Sequence, residues 1–265
     1  VIPKGIWITG PIRLQSNVCL YLERGAVVKF SKNIEEYPLI LTNYEGQECI
    51  RTVSPVTADH AENIAICGDG VIDGSGEQFK MTGRQWAELM KKNSNVLDTK
   101  EGGIWFPTES AFLGNEKNIQ KDEKDALKKA EQHYDFYRPV MVSLEYCDRV
   151  LLEGVTFMNS PAWNIHPFFC TNLTVKDAVI RNPYYAQNGD GIDVESCNGV
   201  EIYNCTFETG DDAICIKSGK NAEARTFEGP CENVYIHDCL VNEGHGGFVV
   251  GSEMSRGVKH ILVEN

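Results

Sequence analysis

The feature that most constrains this chain is a repeat. Five segments align without gaps: Asp148-Arg149-Val150-Leu151-Leu152, Thr171-Asn172-Leu173-Thr174-Val175, Asn198-Gly199-Val200-Glu201-Ile202, Glu232-Asn233-Val234-Tyr235-Ile236 and Lys259-His260-Ile261-Leu262-Val263. With Val150, Leu173, Val200, Val234 and Ile261 in register, the steps are 23, 27, 34 and 27 residues. Apolar residues recur two, five and seven positions later, as Leu152, Val155 and Phe157 do in the first copy. A weaker copy stands at Asn63-Ile64-Ala65-Ile66, and a further one at Asn17-Val18-Cys19-Leu20. Alternation at period two marks short strands with one face buried. Constant strand slots joined by connections of unequal length fit a solenoid whose loops vary on one side and whose stacked coils bury a continuous core. The expected fold is all-β, a parallel β-helix.

The cysteines fit this reading. Cys147, Cys170, Cys197 and Cys231 each stand three residues before the register position, with Ala61 and Val258 in the flanking copies. Equivalent positions in stacked coils lie about 4.8 Å apart, which predicts an internal ladder of small apolar side chains. Adjacent rungs come close enough for a disulfide to be sterically feasible, whereas buried free thiols are the plainer account. No CxxC pair is present, which argues against a zinc knuckle or a thioredoxin-type site.

One region breaks the strand pattern. Between Gly76 and Arg138 the apolar spacing turns helical, with Trp86, Leu89 and Met90 at i, i+3, i+4 and Leu127, Ala130, Tyr134 and Tyr137 at three- and four-residue steps. A helical insert over 76–138 is expected within a single β-helix domain spanning 1–265. It would either cap the solenoid or shape a substrate groove.

Composition narrows the function classes. A net charge of −13, from 25 basic and 38 acidic residues, disfavours a general nucleic-acid binder. No run of about 18 apolar residues exists to form a membrane-spanning helix. The chemistry instead gathers in three turn regions that each precede an apolar strand: Asn188-Gly189-Asp190-Gly191-Ile192-Asp193, Gly210-Asp211-Asp212-Ala213-Ile214 and Gly244-His245-Gly246-Gly247-Phe248. Stacking would bring Asp190, Asp211, Asp212 and His245 together. Clustered carboxylates repel, so at least one pKa should rise and leave a protonated acid beside a carboxylate base. That is the equipment of inverting glycoside hydrolysis: an acid for the departing oxygen and a base for the attacking water. His245 would hold or tune the acid. Asp-Gly pairs are also ordinary turn formers, and Asp193 reads equally well as an Asx-turn residue. Calcium is the other use of clustered carboxylates, but its usual ligand pattern is not evident. No metal is expected.

At these residues the chain resembles glycoside hydrolase family 28, the polygalacturonase family, and its bacterial branch in particular. Further matching segments are Cys215-Ile216-Lys217-Ser218-Gly219, Asn159-Ser160-Pro161-Ala162-Trp163-Asn164-Ile165-His166-Pro167 and Gly251-Ser252-Glu253-Met254-Ser255. The resemblance implies a right-handed parallel β-helix and inverting cleavage of galacturonic acid linkages in a pectic polysaccharide or oligogalacturonide, without a cofactor. It implies Asp211 as general acid, Asp190 and Asp212 as the pair that positions and activates water, and His245 in support. Asn188 and Lys217 complete the set as substrate-binding candidates. Such an activity suits a secreted or periplasmic setting. Two departures stand out. Gly189 occupies a place where the family usually has Thr or Pro, which should loosen the turn. The family's cationic Arg-Ile-Lys type motif would fall beyond Asn265, and Arg256 and Lys259 lie too early to replace it. A piece lacking both family-typical ends, with an unpaired β-helix edge, is therefore expected. Hydrolysis of the rhamnose–galacturonate backbone and a non-catalytic carbohydrate-binding β-helix are the alternatives, the latter opposed by the intact Asp190, Asp211, Asp212 and His245. A β-elimination lyase would want calcium and an arginine base. If the insert closes one end of the groove, attack would be exo.

Overall fold

A computed structural model describes residues 1–76, 119–120, 138–184, 186 and 188–265. Each coil visits three parallel sheets of seven strands in a fixed order. The first sheet runs through Ile12–Arg13, Val56–Asp59, Val142–Glu145, Ile165–Phe168, Ile192–Glu195, Ile214–Lys217 and Phe248–Val250. The second holds the repeat itself, from Cys19–Leu22 and Glu62–Gly68 to Val258–Glu264. The third runs from Gly5–Thr9 to Leu240–Glu243. This is the parallel β-helix expected from the repeat, with the right hand that the family resemblance implied and that is the rule for crossovers between parallel strands. The register matches the sequence alignment, with Val150 paired to Leu173, Leu173 to Val200, Val200 to Val234 and Val234 to Ile261.

The corners explain why these residues coil. The residue before each register position, Arg149, Asn172, Gly199, Asn233 or His260, has φ between 53° and 74°. Asn and Gly tolerate that left-handed conformation best. A second set at the exit of the first sheet, His60, Tyr146, Phe169 and Ser196, has φ of 50–52°. Each is followed by a small inward residue: Ala61, Cys147, Cys170 or Cys197. Those side chains are at most 3% exposed, and all ten cysteines are free thiols. The ladder is therefore one of thiols packed as small apolar groups.

The turns from second to third sheet are tight throughout, such as Gly154-Val155, Asp177-Ala178 and Asn204-Cys205. Long connections border the first sheet only, on both of its edges rather than on one side of the solenoid. Those entering it include residues 31–55, 74–141, 182–191, 209–213 and 244–247, and one leaving it is 218–230. The helical insert expected over 76–138 lies outside the described residues, save the short strand Ile119–Gln120, which pairs antiparallel with Gln47–Thr52. That strand belongs to a hairpin the sequence reading did not anticipate. Leu39–Tyr44 pairs antiparallel with Gln47–Thr52 around a two-residue turn, Glu45 at φ 50° and Gly46 at φ 70°, the geometry that twisted hairpins favour.

Candidate active site

Asp190, Asp211, Asp212 and His245 occupy successive connections into the first sheet, so coil stacking aligns them. The connections are tied by backbone hydrogen bonds: Gly191 N–H donates to Asp212 O (2.9 Å), Ala213 N–H to Gly246 O (2.8 Å) and His245 N–H to Asp211 O (2.9 Å). One oxygen each of Asp190, Asp211 and Asp212 lies within 4.8 Å of the others. His245 Nδ1 stands 3.2 Å from Asp211 Oδ1, with the imidazole largely exposed and the Asp211 carboxylate about one-third open. Asp190 is 5% exposed, and burial, reinforced by Asp211 and Asp212 and opposed by Lys217, pushes its carboxyl up to about 7. The cluster thus retains a proton near neutral pH, as its crowding requires.

Gly189 has a packing role rather than a loosening one. A Cβ there would stand 2.7 Å from Ala186 Cβ and 2.9 Å from Ala186 O, so the glycine makes room for the connection to fold on itself. Asn188 is partly engaged already, its Oδ1 accepting from Arg138 Nη2 at 3.1 Å. Lys217, proposed to touch substrate, lies instead beneath the surface. It is 4% exposed, and its Nζ donates to Gly251 O (2.9 Å) and Glu253 Oε2 (2.8 Å), at 4.9 Å from the Trp163 ring. With its donors directed inward, direct substrate contact does not suit it. Asp193 does not form an Asx turn: it is 0% exposed, and neither carboxylate oxygen has a hydrogen-bond partner among the described residues.

The hairpin supplies what sequence reasoning missed. It crosses the outer face of the first sheet from one edge to the other. Tyr44 packs on Trp163 at 4.4 Å between ring centroids, Arg51 stacks 3.7 Å over Tyr44, and Thr42 Oγ1 donates to Glu145 Oε1 at 2.7 Å. At the far edge, Lys220 N–H donates to Gly46 O. Arg51 also bonds the Arg138 carbonyl, and Arg138 Nη1 reaches Pro161 O at 3.0 Å. Beneath this cover lies a buried ionic layer, with His166 Nε2 2.9 Å from Glu195 Oε2. The sequence signal for the hairpin was slight, Glu45-Gly46 as a turn pair between two segments without clean apolar alternation.

A β-helix with three carboxylates and a histidine converging above one sheet is the architecture of a pectin-degrading glycosidase family. The model of that family, glycosyl hydrolases family 28, matches residues 123–265, and the chain belongs to it. It is similar to a probable polygalacturonase of Vitis vinifera (27% identity over 100% of this chain and 46% of that one) and to an exo-poly-alpha-D-galacturonosidase of Dickeya chrysanthemi (28% identity, 100% and 44%). Among solved structures it resembles a hyperthermoactive exopolygalacturonase from Thermotoga maritima, with a TM-score of 0.76 and 35% identity over 100% of this chain and 57% of that one. The chain spans under half the length of the two sequence relatives.

Proposed function

We propose that the chain hydrolyses galacturonic acid linkages in pectin from chain ends, with inversion. The observation that carries this reading is the convergence of Asp190, Asp211 and Asp212 beside His245. Asp211, partly open and flanked by His245, gives its proton to the departing glycosidic oxygen. Asp190 and Asp212 hold a water between them and draw off its proton as it attacks the anomeric carbon. No covalent intermediate is needed. The facing oxygens of the three carboxylates lie within 4.8 Å of one another, closer than the roughly 6.5–9.5 Å between carboxyl groups usual for inversion, but the third carboxylate supports a water-holding pair that a two-carboxylate retaining site lacks.

Exo attack is supported by the similarity to the exo-acting proteins of Dickeya and Thermotoga; the hairpin Leu39–Tyr44/Gln47–Thr52, tied at its tip to the 218–230 connection, is the element placed to form the wall that closes one flank of the groove. Pectin lies outside the cytoplasm, so the same reading puts the chain in a secreted or periplasmic setting.

Mass-resolved product analysis on unsubstituted polygalacturonate tests this, comparing the chain with Asp211→Asn. Saturated monomer released by the unmutated chain, and at least about 10²-fold more slowly by the variant, is the expected result. Mixed oligomers would make it endo-acting. Product only from a rhamnose–galacturonate backbone would move the substrate, and no product from either would favour the binding-only alternative. Proton NMR of the nascent product reads the stereochemistry: an anomer opposite to the bond cut means inversion.

A further inference from the structure

The mechanism above leaves the buried cation nearest the carboxylates, Lys217, unused. Lys217 closes the strand Ile214–Lys217, with Nζ held by Glu253 and Gly251 and 3.7 Å from Asp193 Oδ1. Asp193 sits on the neighbouring strand Ile192–Glu195, sealed from solvent. One carboxylate oxygen of it, one of Asp190 and the Cys215 thiol lie within 4.8 Å of one another. A line of charge therefore runs Glu253, Lys217, Asp193, Asp190 under the site and ends at the carboxylate that activates water.

We propose that Lys217 and Asp193 are positioning residues that together set the pH at which Asp190 acquires its charge, Lys217 drawing that pH down and Asp193 holding it up. Asp193 Oδ1 faces the lysine ammonium at 3.7 Å, and neither residue meets the substrate.

The surroundings permit few other controls. Asp190 is faced by Asp193 on the strand that its connection enters, by Asp211, Asp212, Cys215 and Lys217 from the next coil, and by Tyr44 from the hairpin. Lys217 is faced by Asp193, Glu253 and Trp163, and Glu253 in turn has Lys220 at 3.7 Å. The neighbouring Glu195 is taken up by His166 and by the Gly219 N–H. Among the described residues Lys217 is thus the sole cation in contact with Asp193. Burial is the largest cause raising both Asp190 and Asp193, and Lys217 opposes the rise at each.

For the hydrolytic role this inference rests on the function proposed above, so its test reads the carboxyl directly as well as the rate. The full chain, labelled with 13C at the aspartate carboxyls, is titrated by NMR, with the Asp190 signal assigned through its loss in Asp190→Asn. Lys217→Met should raise the apparent Asp190 midpoint by about one pH unit and Asp193→Asn should lower it by a similar amount. Lys217→Arg, keeping the charge, should stay near the unmutated value. The acidic limb of kcat/KM should follow in the same directions. Opposite shifts without any hydrolysis by the unmutated chain would uphold the charge line and overturn the enzymatic reading. An Asp190 midpoint within about 0.3 unit of the original in folded variants would overturn the proposal, whatever the rates. If Lys217→Met does not fold, the isosteric Asp193→Asn decides alone.

Discussion

Asp190 is held where its charge is least welcome, and the fold bears the cost. Its carboxyl titrates at about 7 in the folded chain, against about 3.9 for an exposed aspartate. Folded protein therefore binds a proton that unfolded protein has released across that interval. Stability from this group is complete below about pH 4, declines as pH rises towards 7 and stays reduced above it. Asp190→Asn should accordingly raise Tm by several degrees at pH 8, leave it nearly unchanged at pH 4, and abolish most activity. Scanning calorimetry at the two values checks this, and equal Tm gains at both would refute the charge conflict. Asp190, Asp211, Asp212 and His245 were legible as a group because each precedes an apolar strand at an equivalent place in its coil. Lys217 and Asp193 were not, since period-two alternation turns both outward and an outward residue reads as solvated. Lys217 is covered by Trp163, on which Tyr44 of the hairpin packs, side chains from distant parts of the chain.

At the scale of elements, the hairpin is the structure's added part. Its tip fits tightly: a Cβ on Gly46, already at φ 70°, would meet Lys220 N at 2.7 Å and Gly219 C at 2.8 Å, both backbone atoms. Gly46→Ala should lower stability by roughly 1–3 kcal/mol through strain and overlap. It should also lift the tip from the 218–230 connection, so that monomer gives way to mixed oligomers in the product spectrum. Denaturant melts and product sizing measure the two effects. A folded variant still releasing monomer alone would show that the hairpin does not govern the mode of attack. The strands and the thiol ladder were readable because apolar alternation and the φ > 0 corners repeat from coil to coil. The hairpin occurs once, so no internal repetition announced it.

The whole molecule behaves as a stack in which each coil is stabilised by its neighbours. Core positions in the central coils, such as Val175, Val194 and Ile202, are fully buried, whereas Trp7 in Gly5–Thr9, in register with the buried Val28, is 47% exposed and Val263 in Val258–Glu264, in register with the buried Ile236, is 46% exposed. Amide hydrogen exchange should be slowest in Thr171–Lys176 and Ile192–Glu195 and faster by orders of magnitude in the two outer strands. Uniform protection would mean that the stack opens only as a whole. The placement of the long connections has a further consequence. Because they border the first sheet alone, while the corner from second to third sheet closes in two or three residues, the scaffold offers grafting sites that open onto the catalytic face and none behind it. A foreign peptide spliced into residues 218–230 would alter what the groove admits and leave the coil register alone. The same peptide spliced at Asp177-Ala178 would split two stacked strands and unzip the solenoid.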